Sequence, residues 1–246
     1  MNMVSKAQVN FLAKLQQKKY RYLQQKFLVA SPKVIWEQYD NELLDSIYVT
    51  DNFYNENEDK MVFGKTYRIS ERDLVKISGQ VTPAGLVGLF SMPTLSSFSW
   101  RCKQVLWLDD IQDAGNLGTI VRTADWFGIS DIFLSPNCVD LYNPKVVAAT
   151  MGSIFNVKIH LVNNAKKTAE EFKKNNYLII VADLSGQEFP LPKNQKIVLV
   201  VGNEARGSSQ EIKSLADKKY KIKQFGKAES LNAAVSAGII MHQLKH

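Results

Sequence analysis

From residue 101 onward, short apolar runs recur at 105–108, 132–134, 157–162, 177–182, 197–201 and 220–222, with helical-length segments between most of them. Strands that alternate with helices must pair through crossover connections. The region is therefore expected to fold as an α/β domain around a mostly parallel sheet covered on both faces. Sheets of this kind bind ligands in loops beyond the carboxyl ends of their strands. The residues that follow each apolar run are the candidates for chemistry.

The first 90 or so residues follow a different plan. Residues 5–25 place Val9, Leu12, Leu15, Tyr22 and Leu23 at helical intervals, which predicts one amphipathic helix with a basic outer face. A short strand at 27–30, a turn at Ser31-Pro32 and a second helix are expected next. Residues 40–60 are strongly acidic and predict a solvated edge or loop, and 81–90 predict a glycine-interrupted strand. The small, polar, proline-containing stretch 91–99 resembles an interdomain linker. The expected division is a first domain over 1–92, a linker over 93–100 and a second domain over 101–246. With 246 residues, either domain is large enough to bury its own core.

The formal charge of +7 is carried by residues 1–36, which hold Lys6, Lys14, Lys18, Lys19, Arg21, Lys26 and Lys33 with no acidic residue, so the remainder is neutral. A concentrated basic stretch attracts polyanions through counterion release, and nucleic acid is the commonest such partner. The bland alternative is a solvated basic helix face. No apolar run approaches the roughly 18 to 20 residues of a membrane span, and no export signal is read at the N-terminus. Cys102 and Cys138 are too sparse for a disulfide framework and are read as reduced cytosolic thiols. His160, His242 and His246 are scattered, and no metal site is argued from them.

Two tempting motifs fail. The tripeptide Gly64-Lys65-Thr66 ends like a phosphate-binding loop, but Asp59 stands where the first glycine is required. Gly115 and Gly118 lack the spacing of a dinucleotide-binding turn. Three strand-end stretches are left. In the first, Asn116 lies in a loop and Arg122 follows on a helix; its plain alternative is a surface arginine paired with Asp125. In the second, Gly202 would let a ligand approach the backbone and Glu204 opens a polar turn, the alternative being a strand that simply ends near a helix start. In the third, Ser230 is read as a helix N-cap, with Asn232 two residues inside that helix and not explained by capping.

Together the stretches read Asn-x-Gly-x-x-x-Arg-x-x-x-x-Phe-Gly, then Gly-Asn-Glu-x-x-Gly, then Ile…Gly…Glu-Ser-Leu-Asn before a C-terminal helix. In this order they resemble the three motifs of the SpoU/TrmH-type RNA 2'-O-methyltransferases, over residues 101–246. The resemblance implies a SPOUT-type fold with a C-terminal trefoil knot, which periodicity alone would not suggest. It implies S-adenosylmethionine bound near Ala182, Gly202, Ile222 and Leu231. It implies Arg122 as the central catalytic residue, with Asn116, Glu204, Ser230 and Asn232 positioning it and the ribose. Because an arginine is nearly always protonated, stabilising the alkoxide and orienting phosphate fits Arg122 better than the role of base proposed for the family. The family also implies a homodimer whose site combines both subunits.

Residues 1–92 resemble, more weakly, the small ribosomal-protein-like RNA-binding domain attached to many members. Ala30-Ser31 stands where Glu-Gly is usual, and Lys223 where the third motif often has proline. Lys14, Lys18, Lys19, Arg21 and Lys26 are the expected RNA contacts. The expected function is methyl transfer to a ribose 2'-hydroxyl by a cytoplasmic enzyme that is neither membrane-bound nor metal-dependent. The two-domain layout favours ribosomal over transfer RNA as substrate. The rivals are a catalytically silent RNA-binding or ribosome-assembly protein and, more weakly, an α/β enzyme acting on a small metabolite.

Overall fold

The computed structural model describes residues 2–61, 65–94, 97–192 and 194–245. Phe63 and Gly64 beside the failed phosphate-loop match, positions 95–96 of the expected linker, and His246 lie outside the described residues. The chain divides into two compact units, one formed by Met1–Thr94 with Asp140–Gly152, the other by Leu95–Val139 with Ser153–His246.

The first unit runs α1 (Lys6–Lys14), α2 (Lys18–Gln24), β1 (Lys26–Val29), α3 (Pro32–Glu37), β2 (Leu44–Val49), α4 (Asp51–Glu56), β3 (Thr66–Arg68), α5 (Glu71–Ser78) and β4 (Leu86–Ser91). Its sheet has the order β1-β4-β2-β3. The β1/β4 and β2/β4 pairs are antiparallel and β2/β3 is parallel. One face is covered by α1 and α5, whose Val9, Leu12, Leu15, Leu74 and Ile77 pack on Leu28, Tyr48, Val87 and Leu89.

Three expectations for this unit need correction. The single helix over 5–25 is two, because Gln17 is extended and interrupts the chain after α1. The carbonyls of Leu15 and Gln16 freed at the break accept from the Arg21 guanidinium at 2.9 and 2.7 Å. The acidic stretch 40–60 is no edge, since β2 lies inside the sheet between β4 and β3. Its charges sit at the strand's ends, where Asp45 pairs with Lys26 and Asp51 with Arg68. Finally, the strand expected from residue 81 begins only at Leu86, with Val81 almost fully exposed. Gly85 stops it by taking a positive φ of 87°, and a Cβ there would stand 2.7 Å from the Phe53 side chain.

The second unit opens with β5 (Gln104–Asp109), α6 (Ala114–Trp126) and β6 (Asp131–Leu134). The chain then contributes Asp140–Gly152, including α7 (Pro144–Thr150), to the first unit. There the Asp140 carboxylate accepts from Arg21 and from the Tyr22 hydroxyl. The second unit resumes with β7 (Lys158–Leu161), α8 (Ala165–Lys174), β8 (Tyr177–Gln187), β9 (Lys196–Gly202), α9 (Gln210–Leu215), β10 (Lys218–Tyr220) and α10 (Ala233–Lys245).

Its six described strands have the order β10-β8-β9-β5-β6-β7, and every pairing is parallel. This is the α/β sheet the apolar runs predict, although β8 extends to Gln187 and β10 ends at Tyr220, earlier than expected. The central strands are buried on both sides. Val105, Trp107, Val198 and Val200 share a core with Phe172 of α8 and Ile212 of α9, while α6 and α10 pack on each other and α10 also meets β9. Because the chain progresses outward from β5 through β6 to β7 and then crosses to β8, the carboxyl ends of β5 and β9 mark a topological switch point. Among the described residues, no helix is long and apolar enough to cross a membrane.

Candidate active site

The loops after β5, β9 and β10 meet at the carboxyl edge of the sheet. Asp113 caps α6, accepting from the Asn116 amide at 2.7 Å and fixing that residue in the first turn. The Asn116 side chain donates to Glu204 Oε1 at 3.0 Å and accepts from Asn232 Nδ2 at 2.8 Å. Residues 88 and 116 positions apart in sequence are thus joined in one line of hydrogen bonds, Asn232 to Asn116 to Glu204.

The third loop corrects the capping assignment. α10 starts at Ala233, and Asn232 is its cap, its Oδ1 accepting from the amides of Ala234 and Val235 at 2.8 and 3.3 Å. Ser230 is outside the helix and exposed. Asn232 therefore uses its oxygen to start the helix and its nitrogen to hold Asn116, acceptor and donor being separate atoms of one amide.

A cavity of about 420 Å³ opens beside this line. Ala182, Gly202, Ile222 and Leu231, the four expected donor-binding positions, all line it, as do Glu204 and Ser230. Asn116 and Asn232 do not line it and reach it only through Glu204. Arg122 is placed elsewhere. It is exposed on α6, six residues past Asn116, which is about 9 Å along the axis and about 120° around it. Among the described residues it has no hydrogen bond or ion pair, and the expected alternative partner Asp125 accepts instead from Asn156 at 2.9 Å.

Gly202 is required for a reason the sequence did not expose. A Cβ there would stand 2.1 Å from the Ser208 amide nitrogen and 2.4 Å from the Gly207 carbonyl carbon, so the glycine admits the returning loop. Gly202→Ala is expected to lower stability by about 1–3 kcal/mol, read as a lower denaturation midpoint, because backbone must move to make room. Asn203, which the sequence reading passed over, organises the same loop. Its Oδ1 accepts from the Ala205 and Arg206 amides at 3.0 and 3.1 Å, and its Nδ2 donates to the Asp110 carbonyl at 2.9 Å. Arg206 pairs with the Asp110 carboxylate at 3.1 Å, tying the loop to the end of β5. The only advance signal for Asn203 was its place between Gly202 and Glu204.

On the far wall of the cavity Asp183 pairs with Lys213 at 2.9 Å. Burial raises its carboxyl pKa, but hydrogen bonds from Lys213 and Ser185 outweigh this and hold it at about 2. A free aspartate titrates near ~3.9, so the stabilisation is complete above that value and is lost as pH falls from ~3.9 to about 2. Asp183→Asn is therefore expected to flatten the acid limb of the denaturation midpoint against pH in that window and leave the neutral range level.

The expected RNA contacts divide into two groups. Lys14, Lys18 and Lys19 are exposed, lying 5.5, 5.8 and 6.0 Å from the ring centres of Tyr20, Tyr22 and Tyr20 respectively. Arg21 is removed from the set, because it is 2% exposed and its guanidinium is consumed by Leu15, Gln16 and Asp140. Lys26 is half-buried and paired with Asp45.

Residues 103–242 match the SpoU rRNA methylase family, and residues 6–88 match the MRM3-like substrate-binding domain. The chain belongs to the SpoU rRNA methylase family. The Bacillus subtilis 23S rRNA (guanosine(2553)-2'-O)-methyltransferase RlmP is 30% identical over 181 residues, which cover 73% of this chain and 72% of that protein. An RNA methyltransferase of the TrmH family from Porphyromonas gingivalis superposes with a TM-score of 0.87 at 32% identity, over 99% of this chain and 98% of the other. The S-adenosylmethionine-bound rRNA methyltransferase from Sinorhizobium meliloti superposes at 0.81 with 26% identity, over 100% and 96%. The methylase described here is thus an RNA 2'-O-ribose methyltransferase that uses S-adenosylmethionine. Its cavity suits that donor. Ala182, Ile222 and Leu231 give apolar walls for a purine, with charged groups of both signs around them.

Proposed function

We propose that the methylase acts on ribosomal RNA as a cytoplasmic homodimer, with its C-terminal segment threaded in the trefoil knot of its family. The observation that carries this reading is the line from Asn232 through Asn116 to Glu204, which joins all three motif loops beside the cavity. When bound, S-adenosylmethionine supplies an electrophilic methyl group on a positively charged sulfur. Ala182, Gly202, Ile222 and Leu231 hold the donor, Glu204 and Ser230 orient the ribose, and Asn116 and Asn232 set the angle of Glu204. The Arg122 guanidinium stabilises the negative charge that grows on the 2'-oxygen as its proton leaves.

The exposure of Arg122 supports a site shared between two subunits. Gly115, Thr119, Arg122 and Trp126 form one exposed stripe of α6, with Trp126 85% exposed, and Val235 of α10 is 51% exposed. Covering the exposed Trp126 and Val235 with a second copy would carry Arg122 to the partner's donor cavity. Trp126→Lys is expected to yield monomers by sedimentation that lack methyl transfer but keep their fold. Residues 1–92 serve as the RNA-capturing domain, with Lys14, Lys18 and Lys19 beside Tyr20 and Tyr22 offering charge and stacking faces.

Mapping 2'-O-methylated nucleotides in total RNA from cells with and without the gene tests the assignment. Loss of one ribosomal site is the expected result; loss of a transfer RNA site would move the substrate, and no loss would leave a silent RNA-binding protein.

A further inference from the structure

Residues 37–246 are neutral as a whole, yet 218–227 hold Lys218, Lys219, Lys221, Lys223 and Lys227 and no acidic residue. This second basic stretch runs from β10 into the loop before α10, where Lys221, Lys223 and Phe225 line the donor cavity. Phe225 is 88% exposed, and the Lys223 ammonium stands 5.2 Å from the centre of its ring. The loop is braced from within, because the Gln224 side chain donates to the carbonyls of Gly226 and Ala228 at 3.0 and 2.9 Å. Leu184, 60% exposed, and Leu231, 45% exposed, line the same cavity, so Phe225 is not an apolar residue scattered singly on the surface. An aromatic ring left in water forgoes the gain of burial, and here it is displayed at the rim of the reaction site.

We infer that Phe225 is the stacking platform for the base of the nucleotide being methylated, while Lys221 and Lys223 take up phosphates of the same RNA strand. The reacting ribose must come to the donor cavity, and its base is bonded to the carbon next to the one that carries the 2'-hydroxyl. That base therefore arrives within one sugar's length of the cavity, at the rim where Phe225 stands. Every nucleobase has a π-face, so one exposed ring can hold any of the four. A ring set in a run of lysines offers stacking and charge together, the two things an unpaired RNA strand presents. The donor is the poorer occupant of this ring, because S-adenosylmethionine carries a net positive charge at neutral pH and the lysines around Phe225 repel it. This inference rests on the methyltransferase reading above.

The test uses full-length protein and total RNA from cells lacking the gene. Phe225→Ala is expected to lower kcat/KM for that RNA about five- to fiftyfold, the loss that follows removal of one stacked base. Phe225→Tyr keeps a ring and should stay within about threefold of the unmodified protein, whereas Phe225→Leu, apolar but without a π-face, should fall with alanine. In Phe225→Trp, RNA added to the S-adenosylhomocysteine complex is expected to quench tryptophan emission beyond the quenching seen with the unmodified protein. Unaltered kcat/KM in Phe225→Ala overturns the inference, as does leucine serving as well as tyrosine, or no added quenching in Phe225→Trp. Weaker S-adenosylhomocysteine binding by Phe225→Ala would give the ring to the donor, and monomers by sedimentation would give it to a second copy; either result overturns the inference. Failure of the methyltransferase reading would show separately, as absent methyl transfer to that RNA by the unmodified protein.

Discussion

Replacing Arg122 by alanine lowers methyl transfer by about two to three orders of magnitude, the usual loss when a group stabilising a developing oxyanion is removed. Arg122 is an exposed residue of α6 with no partner among the described residues, so its truncation leaves no buried group unpaired and the fold intact. Donor affinity is expected to change little, because in this reading the guanidinium meets the ribose 2'-oxygen and not the donor. Single-turnover transfer to RNA, beside a calorimetric titration with S-adenosylmethionine, separates the two effects. Lysine restores little, since a point charge cannot reproduce the planar fork of a guanidinium. Mixing Arg122→Ala subunits with subunits blocked in the donor cavity restores part of the activity if the site is shared, and none if each subunit works alone.

Arg21→Ala is expected to destabilise the first unit by about 3–5 kcal/mol, the cost of breaking a buried ion pair from one side. The side chains of Arg21 and Asp140 are 3% and 5% exposed, so the substitution leaves a buried aspartate without its cationic partner. The carbonyls of Leu15 and Gln16 would lose their donors as well. Chemical denaturation measures the loss. Lys18→Ala and Lys19→Ala are the contrast: both side chains are exposed, stability changes by less than about 0.5 kcal/mol, and the slope of log affinity for RNA against log salt falls by about one for each phosphate contact removed. Neighbouring cations in one basic stretch are thus expected to separate into a folding role and a binding role.

That separation shows where the sequence stops. Charge counting placed Arg21 among the RNA contacts because a guanidinium at a helical position looks the same whether it faces water or an aspartate 119 residues away. The acidic stretch 40–60 misled in the same manner, since β2 is central to its sheet while Asp45 and Asp51 at its ends pair with Lys26 and Arg68, residues outside the stretch. Both errors come from reading charge locally when its partner is distant.

What the sequence determined by itself is the parallel α/β sheet, because alternating apolar runs and helical segments have few other ways to bury both faces of a strand. It also located the three motif loops, whose residues follow the strand ends. Only the tertiary structure decided how those loops divide the work. Asn232 starts α10 and holds Asn116, Gly202 yields space to Ser208 backbone, and Arg122 faces outward, away from the cavity. Hydrogen-bond partners 88 to 116 residues apart, and the close approach of two backbones, are set by how strands are ordered in the sheet, which periodicity along one chain does not encode.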